Sequence, residues 1–343
     1  MHPLGDLFAA FGLAHPLTFA AAVVGSSWLI LWRVEGWLDC GLEGTALGTL
    51  MLPYCSGLGN LLFVVLLQRQ GGSMEEVVVN AIVNNVTNLT LLLGLPALLW
   101  GLVVVPSAVP PTRGRRSAPR RAPRDKAAQL HRRLSRLSLL LTLCAVGFFT
   151  GTVWWLSRDG GFDTTDGAVL IGLFLFWQCF QVFDTLKHNL QRDVRLGPLF
   201  VLDLLLVFAA GWVLYESLEW IVQWLSSSSH GVFQARHLGW ITGWLLVVPN
   251  ALVAVFYAAR GRADIVYSSQ VGDGHVCIPL CLGFAAVLQP VPVPPMFHLG
   301  LALLLGATAL HALCLLLLGR LPRVLAAALV LAYAWFVYAG FLD

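Results

Sequence analysis

Long apolar runs constrain the fold of this chain more than any other feature. Runs of about 20 apolar residues, each long enough to cross a hydrocarbon layer, follow one another with short polar breaks between them. With 58% hydrophobic and 11% charged residues, the chain lacks the polar surface of a water-soluble globule. We expect an all-α polytopic membrane protein. The ten predicted spans lie near 17–34, 43–68, 76–105, 136–157, 164–186, 196–225, 237–259, 264–289, 295–318 and 322–341.

The basic residues predict which loops face the cytoplasm. Ten of the 21 Lys and Arg residues lie in or directly after a Pro/Arg-rich linker at 106–135. If the N-terminus is outside, eighteen basic residues fall on the cytoplasmic side and only Arg69, Arg158 and Arg236 remain outside, as the positive-inside rule requires. Both termini are therefore predicted outside. The linker is predicted inside, against anionic lipid headgroups.

Several classes of function are not supported by the sequence. The seven cysteines show no paired CxxC spacing, so neither a disulfide framework nor a zinc site is expected. No nucleotide-binding loop is present, and no Ser/His, HExxH or paired-Asp arrangement supports a membrane-embedded hydrolase. No aromatic residue interleaves the basic linker, so nucleic-acid binding is not expected. Residues 1–16 lack a basic signal-peptide region, so no cleavage is expected. We expect neither an enzyme nor a cofactor, and no oligomeric state is indicated.

The segment "NAIVNNVTN", Asn80 to Asn88, places four asparagines in an otherwise apolar span. Positions 80, 84 and 88 recur every four residues and share one helix face. An unpaired amide in a dry environment costs roughly 1–3 kcal/mol, so these side chains require polar partners. They either line an ion path, where oxygen ligands suit sodium or calcium, or join helices through hydrogen bonds. We favour the first for Asn84 and Asn88 and the second for Asn85.

Two segments repeat the same plan: Leu52–Gly72, leading into the asparagine segment, and Trp244–Cys277. Each has small residues or Pro before an Asn, about nine apolar residues, an Arg-containing turn and a span with polar residues. Five spans separate the copies, so their orientations are inverted, as in secondary transporters with sites near the membrane midplane. We expect Gly57, Gly59 and Pro249 to interrupt their helices there.

A carboxylate lies inside the second copy. Asn60 precedes Asn84 by 24 residues, and Asn250 precedes Asp273 by 23, so the repeat places Asp273 beside the asparagine face. A carboxylate inside a span costs roughly 2.5–3.5 kcal/mol on insertion scales and usually marks an ion or proton path. A structural bond to a neighbouring helix is the alternative. His275 is expected to be a hydrogen-bonded core histidine.

The two copies resemble the alpha repeats of the calcium/cation antiporter superfamily, which includes the sodium/calcium exchangers. The family pattern reads roughly G-T-S-x-P-E on one helix and G-N-x-x-G-S-N-x-x-N/D on the next. Here "CSGLGN" and "LLVVPN" occupy the first motif, and "VNAIVNNVTN" and "SSQVGDGHVC" the second. The resemblance implies two inverted five-helix repeats and a secondary active cation antiporter with its ion site between helices 2, 3, 7 and 8. The implied ion-binding residues are Ser56, Asn60, Asn84, Asn88, Asn250, Asp273 and Cys277, with Asn60, Asn250 and Asp273 as the metal ligands.

The chain departs from the family at its most charged positions. Where each repeat of the family has its central Glu, this sequence has Asn60 and Asn250. A neutral amide offsets the dehydration of a divalent cation poorly, so calcium binding is expected to be weak and the transported ion, such as sodium or calcium, stays open. The alternative function is a non-transporting membrane protein of the same fold with a structural or sensory role.

The resemblance divides the chain into four parts. The predicted parts are the first repeat half at 1–105, the basic linker at 106–135, helices 4 and 5 with the central loop at 136–195, and the second repeat half at 196–343.

Overall fold

The computed structural model describes residues 3–37, 46–104, 122–188, 200–228 and 234–341, and the fold in these ranges is helical. The helices are α1 Pro3–Ala10, α2 Pro16–Trp37, α3 Ala46–Arg69, α4 Glu75–Val86, α5 Leu92–Leu99, α6 Ala122–Leu156, α7 Thr164–His188, α8 Phe200–Ser227, α9 Leu238–Ala259, α10 Ala263–Val276, α11 Leu282–Leu288, α12 Phe297–Leu317 and α13 Arg323–Phe341. Single π-helical turns, Thr87–Leu91 and Cys277–Cys281, join α4 to α5 and α10 to α11.

The helices correspond to the predicted spans. Within the described ranges, nine helical segments are long and apolar enough to cross a membrane, and α3 contains a shorter apolar stretch at Gly57–Arg69. The prediction of an all-α membrane protein of about ten spans is therefore confirmed. The expected linker boundary differs, because α6 already begins at Ala122 rather than near residue 136. The sequence there, "DKAAQLHRRLSRL", consists largely of strong helix formers, which extend the helix beyond the apolar span.

The packing of the helices has the symmetry expected of an inverted repeat. Helix α4 packs on α9 and α10 packs on α3, while α5 packs on α13 and α11 packs on α7. If each helix of one half is replaced by its counterpart in the other half, the contact of α4 with α9 becomes that of α10 with α3. In the same way, the contact of α5 with α13 becomes that of α11 with α7. Helices α2 and α8 are counterparts of each other and are in contact, and so are α6 and α12. The predicted internal repeat is therefore present in the tertiary structure as well as in the sequence.

Two short strand pairs obey the same symmetry. Strand β1 (Leu102–Val103) pairs with β4 (Arg320–Leu321), and β2 (Gly161–Phe162) pairs with β3 (Val291–Pro292), both antiparallel. The first pair joins loops that the charge distribution assigns to the cytoplasmic side, and the second joins loops assigned to the outside. The loops are thus grouped as the ten-span count requires, while the absolute orientation stays a prediction.

The expectation that Gly57, Gly59 and Pro249 interrupt their helices is wrong. Helices α3 and α9 run through these positions without a break. The glycines serve close packing instead, because a Cβ at Gly59 would lie 2.6 Å from Leu246 Cδ2 and one at Gly57 would overlap the side chain of Val276. The regular helix is interrupted elsewhere, at the π turns of the neighbouring spans.

Candidate functional site

The site lies in the most buried helices of the molecule. In the most apolar 18-residue stretch of Glu75–Leu99, 78% of the residues are buried, and in that of Ala263–Leu288 the share is 72%, whereas it is 22% for α2 and 28% for α8. Each of these two central spans carries its polar side chains just before or within its π turn. Such turns occur frequently at functional sites, because they shift side chains and backbone groups out of regular helical register.

Asp273 is the centre of a hydrogen-bonded polar cluster. Its Oδ2 accepts a hydrogen bond from Asn88 Nδ2 at 3.0 Å and another from Asn250 Nδ2 at 3.2 Å. Asn88 belongs to the first repeat, whereas Asn250 and Asp273 belong to the second. The carboxylate is therefore held by amides from both halves of the protein.

The cluster continues through the first repeat as a chain of amides. Asn88 Nδ2 also donates to Asn84 Oδ1 at 2.9 Å, and Asn84 Nδ2 lies 3.5 Å from Asn60 Oδ1. Gln270, one turn before Asp273, donates from Nε2 to the backbone oxygen of Asn250 at 3.1 Å. All of these side chains are buried. We call this group the amide cluster; it consists of Asn60, Asn84, Asn88, Asn250, Gln270 and Asp273.

Three buried oxygens of the amide cluster have no hydrogen-bond partner among the described residues: Asn88 Oδ1, Gln270 Oε1 and Asp273 Oδ1. Leaving a buried polar atom unpaired costs about 1–3 kcal/mol, and more for a charged group. Oxygen atoms of amides and carboxylates are the ligands that hard cations prefer. The donor set therefore fits a desolvated cation.

Gln270 was not identified from the sequence. It lies in the segment "SSQVGDGHVC", but at a position that the family pattern leaves unspecified, and the repeat register draws attention to Asp273 instead. The available signal was its position, because Gln270 and Asp273 are three residues apart and so lie on the same side of α10.

A small cavity of about 10 Å³ connects the cluster to the outer helices. This space holds about one water-sized species. Its inner wall includes Asn60 and Asn250, and its outer wall is formed by α2 and α8 through Ser27, Leu31 and Leu214. The two outer helices also pack on each other, with the rings of Phe19 and Trp220 stacked at 4.1 Å in one such contact.

Two further sequence-predicted site residues remain predictions. Ser56 lies in α3, but its side chain is outside the part of the chain that the structure describes. Cys277 is buried at the start of its π turn, where its side chain contacts those of Cys281 and Asn85. Its ligand role is thus untested, although it is only one turn from Asp273.

The neighbouring polar residues make their hydrogen bonds outside the amide cluster. Asn85 Nδ2 donates within its own helix to the backbone oxygen of Ala81 at 2.7 Å. Asn80 Nδ2 donates to Thr242 Oγ1 on α9 at 3.1 Å, and so joins the two helices instead of entering the amide cluster. His275 Nε2 lies 3.0 Å from the backbone oxygen of Thr142.

The charge of the site is low. Asp273 is the single carboxylate of the amide cluster, and no group of three or more His, Cys, Asp or Glu side chains suited to a metal ion occurs in the described ranges. Any cation bound here meets at most one full negative charge. This differs from a charge-rich divalent site, in which several carboxylates offset the dehydration of the ion.

Two inverted helical repeats around a buried polar cluster are the architecture of secondary transporters. The chain belongs to the sodium/calcium exchanger protein family, whose profile matches residues 13–183 and 193–342. The family is one of cation antiporters. Recognition of this family from the two alpha-repeat motifs is thereby confirmed.

Solved structures of the sodium-calcium exchanger NCX_Mj have the same fold. A structure soaked with Na⁺ and Sr²⁺ aligns with a TM-score of 0.61 at 17% identity, over 99% of both chains. One soaked with Na⁺ and no Ca²⁺ gives a TM-score of 0.61 at 17% identity, over 95% of this chain and 96% of that one. At this identity the likeness establishes the fold alone. No match is found among curated protein sequences.

Proposed function

We propose that the protein is a secondary active cation antiporter that binds its ion at the amide cluster, between α3, α4, α9 and α10. The observation that carries this proposal is the group of three buried oxygens without partners beside a buried carboxylate. A cation at this point would satisfy oxygens that the described protein groups leave unpaired. Its charge would also balance that of Asp273.

The proposed ion is monovalent, either sodium or a proton. Coulombic attraction scales with the product of the charges, and a divalent ion loses far more hydration energy on entering a site with a single negative charge. A lone buried carboxylate is stabilised by a proton as well as by sodium, so the two ions would compete at Asp273. Calcium is proposed to bind weakly, because Asn60 and Asn250 supply no charge.

Alternating access is proposed to arise from movement of α2 and α8 against the remaining helices. Only 22% of the most apolar stretch of α2 and 28% of that of α8 is buried, the two helices pack on each other, and the cavity at Asn60 and Asn250 lies between them and the core. A shift of this pair would open the cavity toward one side of the membrane and then the other. An ion pair of 2.7 Å between Arg33 and Asp203 keeps the two helices together near the predicted cytoplasmic side.

The proposed orientation places both termini outside and the basic linker in the cytoplasm. It is supported by the distribution of Lys and Arg. The strand pairs, each of which joins loops assigned to the same side, support the grouping of the loops. The bilayer and inorganic cations are the proposed partners.

Ion flux into proteoliposomes tests the proposal. Purified protein is reconstituted, and gradients of sodium, potassium, calcium or protons are imposed while radioactive cation uptake is followed. We expect uptake driven by an opposing gradient, with flux lost in Asn60→Ala and Asn250→Ala but retained in the control Asn85→Ala. Asn85 is buried nearby, yet its amide donates to its own helix. Flux that is unchanged in Asn60→Ala and Asn250→Ala would contradict the proposed site.

A second candidate function is a structural or sensory role without transport. It is favoured by one observation, namely that Asp273 Oδ2 already accepts two amide hydrogen bonds from the protein itself. In that case the amides hold the carboxylate permanently. No imposed gradient would then drive uptake in the same proteoliposomes, although the protein would be folded and correctly inserted.

A further inference from the structure

A second buried polar group joins the two repeats beside the amide cluster. His311, on α12, has its Nε2 2.8 Å from the backbone oxygen of Leu89, which lies in the first π turn. Its Nδ1 lies 3.1 Å from the hydroxyl of Tyr267, on α10 of the second repeat. His311, Tyr267 and Leu89 are all buried. Neither alpha-repeat motif contains the histidine.

The backbone partner determines which ring nitrogen carries a hydrogen. A backbone carbonyl can only accept, so Nε2 carries the hydrogen. Nδ1 of the neutral imidazole then accepts from the hydroxyl of Tyr267. Both ring nitrogens and the hydroxyl are thereby satisfied, which a buried polar group requires.

These contacts form a closed series that includes Asn88 and Asp273 of the proposed ion site. Leu89 is the residue after Asn88, whose amide donates to Asp273 Oδ2. Asp273 lies six residues after Tyr267 on the same helix, and the hydroxyl of Tyr267 contacts His311. The position of the first π turn relative to α10 is thus fixed at two points, once through Asn88 and Asp273 and once through His311.

We infer that His311 is a positioning residue that holds the first π turn against α10 and so sets the distance between Asn88 and Asp273. The histidine does not touch the ion. It acts through Leu89 and Tyr267, and its loss frees the π turn to move away from the carboxylate. The inference rests on the proposed function for its effect on ion affinity, whereas its effect on the π turn is independent of transport.

The test compares His311→Phe, which keeps a ring but removes both hydrogen bonds, with His311→Gln, which can donate to Leu89 and accept from Tyr267. Thr308→Val is the matched control. Thr308 is buried one turn before His311 on α12, and its hydroxyl has no partner among the described residues. Hydrogen exchange of the amides around Thr87–Leu91 and the cation dependence of flux are measured on the full chain.

We expect His311→Phe to speed amide hydrogen exchange in the π turn by up to about tenfold, because this turn loses the hydrogen bond between His311 and the backbone oxygen of Leu89. The apparent KM for the cation should rise several-fold with a smaller change in maximal rate, whereas His311→Gln should restore both quantities and Thr308→Val should match wild type. If His311→Phe does not fold, Tyr267→Phe, which removes only the hydroxyl, decides in its place. If amide hydrogen exchange in the π turn and the apparent KM for the cation are unchanged in a folded His311→Phe or Tyr267→Phe protein, the inference is overturned. Absence of flux in wild-type protein would refute the proposed function alone, and the exchange measurement would still decide the role of His311.

Discussion

Replacement of Asp273 by Asn separates an ion-binding role from a structural one. Asparagine has the shape of aspartate, and its Oδ1 can take the place of the carboxylate oxygen that accepts from Asn88 and Asn250. Its NH2 group then occupies the position of the oxygen that has no partner in the described structure. Both hydrogen bonds are kept, while the negative charge is lost.

Loss of the Asp273 charge should affect the stability of the fold and the affinity for a cation in opposite ways. Hydrogen bonds to the neutral amide are weaker than those to a carboxylate by about 1 kcal/mol each, but a buried charge that costs roughly 2.5–3.5 kcal/mol is removed. Stability should therefore change little or rise. A cation about 2.4 Å from a carboxylate oxygen gains roughly 7 kcal/mol by Coulomb's law at an effective dielectric constant of about 20, before dehydration is counted. Even a fifth of this amount corresponds to about tenfold in affinity.

The assay measures flux in proteoliposomes and thermal unfolding in detergent, followed by the fluorescence of the thirteen tryptophans. We expect Asp273→Asn to abolish coupled flux without lowering the melting temperature. Asp273→Ala should also lower the melting temperature, because one buried N–H of Asn88 and one of Asn250 lose their acceptor, at about 1–3 kcal/mol each. Asp264→Asn is the control, since this carboxylate lies on the same helix but is half-exposed and paired with Arg262. Flux within a few-fold of wild type in Asp273→Asn would refute the reasoning and leave Asp273 as a helix contact.

Three further predictions address charge, orientation and packing. The double change Asn60→Glu with Asn250→Glu should strengthen calcium binding in calorimetric titrations, because it adds two carboxylates to the cluster, and tight binding by wild type would contradict this. On a cysteine-free background, a cysteine in the turn at 69–74 should react with an impermeant reagent in intact cells, and one in the basic linker should not; a reactive linker would reject the orientation. Gly239→Ala should lower the melting temperature, since its Cβ would lie 2.5 Å from the backbone oxygen of Glu76, whereas Gly211→Ala, with open space around it, should not.

The spans and the repeat could be predicted because both leave simple patterns in the sequence. Hydrophobic length and Lys/Arg asymmetry give the number of crossings, and the spacing from Asn60 to Asn84 and from Asn250 to Asp273 brings together residues that are far apart in the chain. The structure places these four side chains in one hydrogen-bonded cluster, as that spacing indicates.

The details that the sequence did not predict depend on tertiary packing. A π turn has no compositional signature, so the turns after Asn84 and Asp273 could not be read from the chain. The interruption was predicted at Gly57 and Pro249 because glycine and proline break isolated helices. In a packed bundle glycine also lets helices approach closely, and this second use is the one found at Gly57. Gln270 was missed for a related reason, since its role depends on the neighbouring helix.

The two halves share a backbone symmetry that their site residues do not follow. Gly94 and Gly283 are 189 residues apart, as are Asn84 and Asp273, and a Cβ at either glycine would lie 3.0 Å from a backbone oxygen of the facing helix. At the site itself, however, the first repeat supplies only amides, while the second supplies the carboxylate. In an inverted-repeat transporter the two halves exchange conformations between the outward-open and inward-open states. Because only one half carries charge, the two access states are not equivalent by symmetry, so the cation affinities on the two sides of the membrane are free to differ.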